Sequence, residues 1–212
     1  VTLPPLSEPF AEVLAYHGSG RVAYLTFDDG PGPQTGEILD ILAAHGIRAT
    51  FCQVGSRIAD FPDTERRIIA GGHTLCNHSW SHPEGLSSAP ADVINAEMAR
   101  TQEVVSGYGV RVHYFRAPGG DFGAARTTLR QVCQSNRVVP LGWSVDSQDW
   151  RKPGPAAIVR NVLDEVAPGS VILMHDAGGA DRNQTIAALP DVISGLQAAG
   201  YTLAALPADP FG

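Results

Sequence analysis

Apolar and polar positions alternate along Val22-Ala23-Tyr24-Leu25-Thr26-Phe27 until Gly30-Pro31-Gly32-Pro33 cuts the run off. Val22, Tyr24 and Thr26 face one way and Ala23, Leu25 and Phe27 the other, which predicts a buried strand. The period then lengthens. Ile38, Leu39, Ile41 and Leu42 predict a helix from Gln34 to His45 with Gly46 as its stop. The same exchange of periods recurs to the end of the chain. Strands are predicted at Ile47–Cys52, His73–His78, Val112–Arg116, Val138–Trp143, Ser170–Met174 and Tyr201–Ala204. Helices are predicted at Asp63–Ala70, Pro90–Ser106, Thr127–Ser135 and Pro155–Val166. A last helix carries Ile186, Leu189, Ile193 and Leu196, with Pro190 at a kink or a restart. Regular alternation of strand and helix predicts an α/β fold with a parallel sheet. Residues 1–20 read as a surface lead-in, 21–206 as a single domain and 207–212 as a tail.

In such folds the chemistry sits where strands end and loops begin. Asp28 and Asp29 follow the first predicted strand, His78 and His82 the third, and Arg116 the fourth. Asp146 and Asp149 follow the fifth, and His175 with Asp176 the sixth. Separate segments thus deliver polar groups to one rim. Asp28 and Asp29 are adjacent, and two like charges stay side by side only when something cationic compensates one of them. A metal ion fits that need. His78 and His82 with one of these carboxylates make a two-His, one-carboxylate set suited to Zn²⁺ or a similar divalent ion, with a position left for water.

The remaining groups complete a hydrolytic set. The second carboxylate serves as a general base, and Arg116 could orient it through a bidentate pair. His175 is placed as a general acid, its imidazole held protonated by Asp149, or alternatively Asp146. Together they describe metal-assisted hydrolysis of an acyl bond. His17, His45, His73 and His113 have no acid paired nearby in sequence and read as structural or solvated, and Asp176 reads as a residue that binds local loop amides.

Composition narrows the partners. A formal charge of −7 argues against nucleic acid or an anionic membrane surface, and a neutral substrate fits better. No apolar run approaches the roughly 18 residues of a membrane span. Cys52, Cys76 and Cys133 read as small core residues, with a Cys52 to Cys76 bridge left open.

The motifs Thr-Phe-Asp-Asp-Gly-Pro at 26–31, His-Ser-Trp-Ser-His at 78–82, Arg-Ala-Pro-Gly-Gly at 116–120, Asp-Ser-Gln-Asp-Trp at 146–150 and Ile-Leu-Met-His-Asp at 172–176 occur in this order. In that order they resemble the polysaccharide deacetylases of the NodB homology domain, the fourth carbohydrate esterase family. The resemblance covers roughly residues 21–206. It implies a distorted (β/α) barrel of about seven parallel strands that removes N-acetyl or O-acetyl groups from carbohydrate. It implies Asp28 as base, Asp29, His78 and His82 as metal ligands, Arg116 positioning Asp28, His175 as acid and Asp149 tuning it. Leu173 would line the acetyl pocket, Trp143 would wall the sugar site, and Gly119 would lend its backbone N–H to the oxyanion. The family often has an aromatic residue where this chain has Gly119, and Phe122 is the nearby side chain able to replace that apolar surface. The expected cofactor is Zn, with Co or Ni able to substitute. Expected substrates are chito-oligosaccharide or chitin, or else acetylxylan or peptidoglycan, acted on by a monomer that is secreted or at the cell surface.

Overall fold

In the computed structural model of the chain, residues 12–16, 20–123 and 128–211 are described. Pro4, Pro5, Pro9, His17, Gly18, Ser19 and Thr127 lie outside them. In chain order the strands are β1 (Val22–Gly30), β2 (Thr50–Gln53), β3 (Thr74–Asn77), β4 (Tyr114–Phe115), β5 (Val139–Pro140), β6 (Val145–Asp146), β7 (Val171–His175) and β8 (Thr202–Leu203). The helices are α1 (Thr35–Ala44), α2 (Gly55–Asp60), α3 (Pro62–Ala70), α4 (Ala91–Ser106), α5 (Thr128–Ser135), α6 (Pro155–Glu165) and α7 (Asn183–Ala198).

Seven strands form one parallel path in the order β5-β4-β3-β2-β1-β7-β6, and β8 pairs with the start of β1. A flat sheet of that width would hold its edge strands about 29 Å apart at ~4.8 Å per strand. Yet edge strands β5 and β6 are joined by Leu141–Ser144 alone, and five Cα steps span at most about 18 Å. The sheet must therefore curl, and it forms a half-barrel with helices around it. Connecting residues zip the seam: Leu141 N–H donates to Phe115 O at 2.8 Å and Ser144 N–H to Val171 O at 3.0 Å.

Alternation along each strand decides what faces where. Ala23, Leu25 and Phe27 of β1 point outward with Phe51, Leu75, Ile172 and Met174, and pack on Ile38 and Leu42 of α1, Ile68 of α3, Ile158 of α6 and Leu189 of α7. Phe27 and Phe51 stack with ring centroids 5.2 Å apart. The opposite set, Tyr24, Cys52, Cys76, Tyr114, Val139, Leu141 and Val171, fills the concave side. Cys52 and Cys76 are ladder partners, and all three cysteines are free and buried.

Some expectations are corrected. The predicted strand at Val138–Trp143 shortens to β5, Val139–Pro140, because the chain leaves that edge of the sheet at Pro140, and an unexpected strand, β6, joins the other edge at Val145. Helix α2 was not expected; it ends at Asp60 because Phe61-Pro62 opens α3 with proline at its first position. Pro190 lies within one continuous α7. Nor is the described part of the lead-in a surface strap. Val13 N–H donates to Pro140 O at 2.9 Å, and Tyr16, 3% exposed, places its hydroxyl 3.1 Å from that of Tyr114. At the other end Leu206 is buried, and Pro207 O accepts from the Tyr114 hydroxyl at 2.9 Å. Buried hydroxyls at the base of the sheet need partners, and both chain ends supply them.

One buried polar pair sits outside the concave side. Glu65 of α3 accepts from Gln53 Nε2 at 2.5 Å, while Glu65 Oε1 and Gln53 Oε1 have no partner among the described residues. Burial pushes the Glu65 carboxyl up to about 7 despite the Gln53 hydrogen bond. A carboxyl raised in the folded state stabilises the fold at low pH and loses that contribution as pH rises from its ordinary range through the folded value. Glu65→Gln should therefore raise the unfolding free energy by about 1–3 kcal/mol at pH 8 and change it little at pH 4, as read by urea denaturation at both values.

Candidate active site

The concave alternation continues up to the rim, carrying Thr26 and Asp28 from β1, Arg116 just beyond β4, and Leu173 and His175 from β7. Arg116 has no exposed surface. Its Nη1 donates to Asp28 Oδ1 at 2.7 Å and to Thr26 Oγ1 at 2.8 Å, its Nη2 to Gly142 O at 2.8 Å and its Nε to Leu141 O at 3.3 Å. Burial disfavours the guanidinium charge, but the Asp28 carboxylate outweighs it and holds Arg116 protonated. The expected bidentate pair is not what forms. One nitrogen serves Asp28, and the rest of the fork satisfies carbonyls of the seam, leaving Asp28 Oδ2 directed elsewhere.

That oxygen lies 3.7 Å from His78 Nε2. Asp29 Oδ1 lies 3.4 Å from His78 Nε2 and 3.2 Å from His82 Nε2, and one ligand atom from each of these three residues falls within 4.8 Å of the others. The set fits a divalent ion. Bonds of about 2.05 Å at tetrahedral angles separate ligand atoms by about 3.3 Å, close to the distances found. The ring orientation fits too: His78 Nδ1 is 2.8 Å from the carbonyl oxygen of Arg116, which can only accept, so Nδ1 carries a proton and Nε2 is the nitrogen free to give its lone pair to an ion. Burial alone would raise the Asp29 carboxyl, but His78 and His82 hold it well below the carboxylate range. The hydrogen bond to Asp29 raises His82.

His78 and His82 sit on a loop rather than a helix, with Ser79 and His82 at φ of 66° and 56°. The loop is braced from below. Glu97 of α4 accepts from the backbone N–H of Trp80 and Ser81 at 2.9 and 2.8 Å, and Ser79 Oγ accepts from His82 N–H at 3.0 Å.

Across the cleft, the sequence left Asp146 and Asp149 open as partners of His175, and the structure selects Asp149. Its Oδ1 is 2.7 Å from His175 Nδ1, and its Oδ2 accepts from His175 N–H and from the Thr185 hydroxyl, both at 2.8 Å. Burial works against the imidazolium, but Asp149, aided by Asp28 and Asp29, raises the His175 pKa above its ordinary value. Asp149 itself is lowered, its burial outweighed by His175. Asp146 instead accepts from Gln148 N–H at 2.8 Å.

These groups line one cleft of about 340 Å³, walled by Gly119, Gly120, Trp143, Asp146, Trp150 and Leu173. A Cβ on Gly120 would lie 2.2 Å from the Trp143 ring, so that ring packs directly on backbone. A Cβ on Gly119 would meet nothing within 4 Å, which leaves the cleft open on that side.

The sequence profile of the polysaccharide deacetylases matches residues 15–137. The chain belongs to the polysaccharide deacetylase family. Among the relatives of this deacetylase is a chitooligosaccharide deacetylase of Rhizobium leguminosarum bv. trifolii, 36% identical over 200 residues that cover 88% of this chain and 91% of the relative. A solved peptidoglycan N-acetylglucosamine deacetylase superposes with a TM-score of 0.87 at 32% identity, covering 94% of this chain and 92% of that one. A CE4 family pseudoenzyme from Bacillus anthracis superposes with a TM-score of 0.84 at 24% identity, covering 95% of this chain and 70% of that one, and shows a shared fold alone. Relatives named as deacetylases make this family member a hydrolase.

Two expectations about the deacetylase's loops are corrected. Phe122 does not restore apolar surface beside Gly119, because it is buried against Phe115 in the core under α4 and α5. Asp176 is held chiefly by a side chain and not by loop amides: its Oδ2 accepts from the Thr35 hydroxyl at 2.5 Å, its Oδ1 has no hydrogen-bond partner among the described residues, and burial pushes its carboxyl up to about 7. Sequence reading also missed Glu97 of α4 and Thr185 of α7, which brace the site from helices. Their residue types are ordinary in helices, and nothing local marked them.

The His175 and Asp149 pair generates a titration. In wild type the imidazole should titrate above about 6.5, and in Asp149→Asn below the wild-type value, followed by NMR of the ring protons. His175 is raised and Asp149 lowered. The stability the pair contributes is therefore lost as pH rises through the His175 value and again as it falls through that of Asp149.

Proposed function

We propose that this family member is a metal-dependent N-deacetylase of N-acetylglucosamine-containing glycans, chitin or chito-oligosaccharides in the first place. One observation carries the reading: an ion-ready trio, Asp29, His78 and His82, lies between a fixed carboxylate, Asp28, and a carboxylate-paired imidazole, His175. The relative at 36% identity named as a chitooligosaccharide deacetylase supports the choice of substrate.

Asp29, His78 and His82 would hold the ion, Zn²⁺ by its nitrogen and oxygen donors, with Co or Ni able to substitute. When bound, the ion supplies acidity to a water and polarises the acetyl carbonyl. Asp28 takes the water's proton on Oδ2, since Arg116 occupies Oδ1. Asp149 fixes the proton on His175 Nδ1, so Nε2 faces the cleft and delivers its proton to the leaving nitrogen. Gly119 N–H is the proposed oxyanion donor, a contact typically worth about 3 kcal/mol. Leu173 closes the acetyl end, and Trp143 offers a face for the sugar ring.

Acetylxylan O-deacetylation and peptidoglycan deacetylation use the same groups, and the solved relative named for peptidoglycan favours the second of these. A noncatalytic glycan binder is disfavoured, since binding has no need of base, acid and three ligands together.

Acetate release from chito-oligosaccharides, acetylated xylan and peptidoglycan, by protein stripped with chelator and then reconstituted with Zn²⁺, tests the proposal. Release from the chitin series that is lost on stripping and restored by zinc is expected. Silence on every substrate with zinc bound would return the reading to a glycan binder. Asp28→Asn and His175→Ala should each lower turnover by about 10²- to 10⁴-fold with metal content unchanged. His78→Ala should lose metal as well as activity, by elemental analysis of the purified protein.

A further inference from the structure

Arg116 compensates Asp28, and Asp29 is left with a second, different cation. Arg182, at the start of α7, is 6% exposed, and its Nη2 lies 3.8 Å from Asp29 Oδ2. The contact is long for an ion pair, but the side chain is buried and anchored at Nε. Its Nε donates to Ala177 O at 2.6 Å, and its backbone N–H donates to Gln34 Oε1 at 2.6 Å. Gln34 Nε2 in turn donates to Asn183 Oδ1 at 2.7 Å. Burial and the Nε bond favour the guanidinium in this place.

The glycine-rich turn after β7 completes the enclosure. A Cβ on Gly178 would fall 2.3 Å from Asp29 Oδ2, and one on Gly179 would lie 3.5 Å from Arg182 Nη2. Bare backbone therefore flanks the oxygen that faces Arg182. Asp29 has a φ of 74°, sparsely populated for a non-glycine residue, so its direction depends on what surrounds it. Its two oxygens have different neighbours: Oδ1 faces both imidazoles, and Oδ2 faces Gly178 and Arg182.

We propose that Arg182 is a positioning residue that holds Asp29 with Oδ1 turned to the metal site. It also offsets the second of the two adjacent carboxylates, so the trio stays in place before any ion arrives. Outer partners of this kind typically change metal affinity 10- to 100-fold when removed. The inference rests on the metal reading above and extends it to a residue outside the five motifs.

Isothermal titration of zinc into the metal-free full chain tests it, on wild type, Arg182→Gln and Arg182→Lys, with melting curves of each metal-free protein. Arg182→Gln should raise the zinc Kd at least about 10-fold, and Arg182→Lys by less, with metal-free melting temperatures near wild type. A merely structural role would instead lower the melting temperature and leave the Kd of folded protein unchanged. Zinc binding by both variants as tight as wild type, or tighter from relief of charge repulsion, overturns the proposal. Should Arg182→Gln fail to fold, Arg182→Lys decides: a wild-type Kd overturns the proposal and a raised one sustains it. A wild type that binds no zinc at all brings down the metal reading itself, which is a different failure.

Discussion

A guanidinium without water must find acceptors for its donors, and Arg116 organises the barrel around that need. Leaving one partner of a buried ion pair unmatched typically costs about 3–5 kcal/mol. Arg116 meets the requirement with the carbonyls of Leu141 and Gly142, where the sheet has no ladder of its own, and with Thr26 and Asp28 on the central strand. Its backbone takes part as well, donating to Asn77 O at 2.9 Å and accepting from His78 Nδ1. One residue thus closes the seam, aims the carboxylate and orients a histidine of the candidate metal site. Structure and chemistry share the same bonds.

The same constraint explains how two carboxylates stand side by side. Asp28 and Asp29 leave a strand end in different directions, the first into the concave interior and the second across the rim through a left-handed backbone turn. Each then meets its own counter-charge. The imidazoles of His78 and His82 approach Asp29 from a loop that Glu97 braces, and the imidazole of His175 approaches from the far side with Asp149 behind it. Opposed charges alternate across the cleft.

The amino-acid sequence by itself determined the alternation of periods, and with it the α/β class, the central strand and the order of elements. It also determined which residues reach the rim: two-residue periodicity sends Thr26 and Asp28, Tyr114 and Arg116, and Leu173 and His175 to one face whatever the curvature. The barrel came from the motifs' resemblance to a family, since periodicity alone carries neither curvature nor pairing. Val138–Trp143 reads as a six-residue strand because local apolarity does not reveal which neighbour a backbone will bond, and only the closed seam ends β5 at Pro140 and makes Val145–Asp146 a strand of the other edge. The choice of Asp149 over Asp146 is likewise three-dimensional, since both follow one strand and only one lies behind His175. Arg182 lies 153 positions from Asp29, Glu97 lies 17 and 16 from Trp80 and Ser81, and Thr185 lies 36 from Asp149. Their roles come from packing distances that periodicity does not encode.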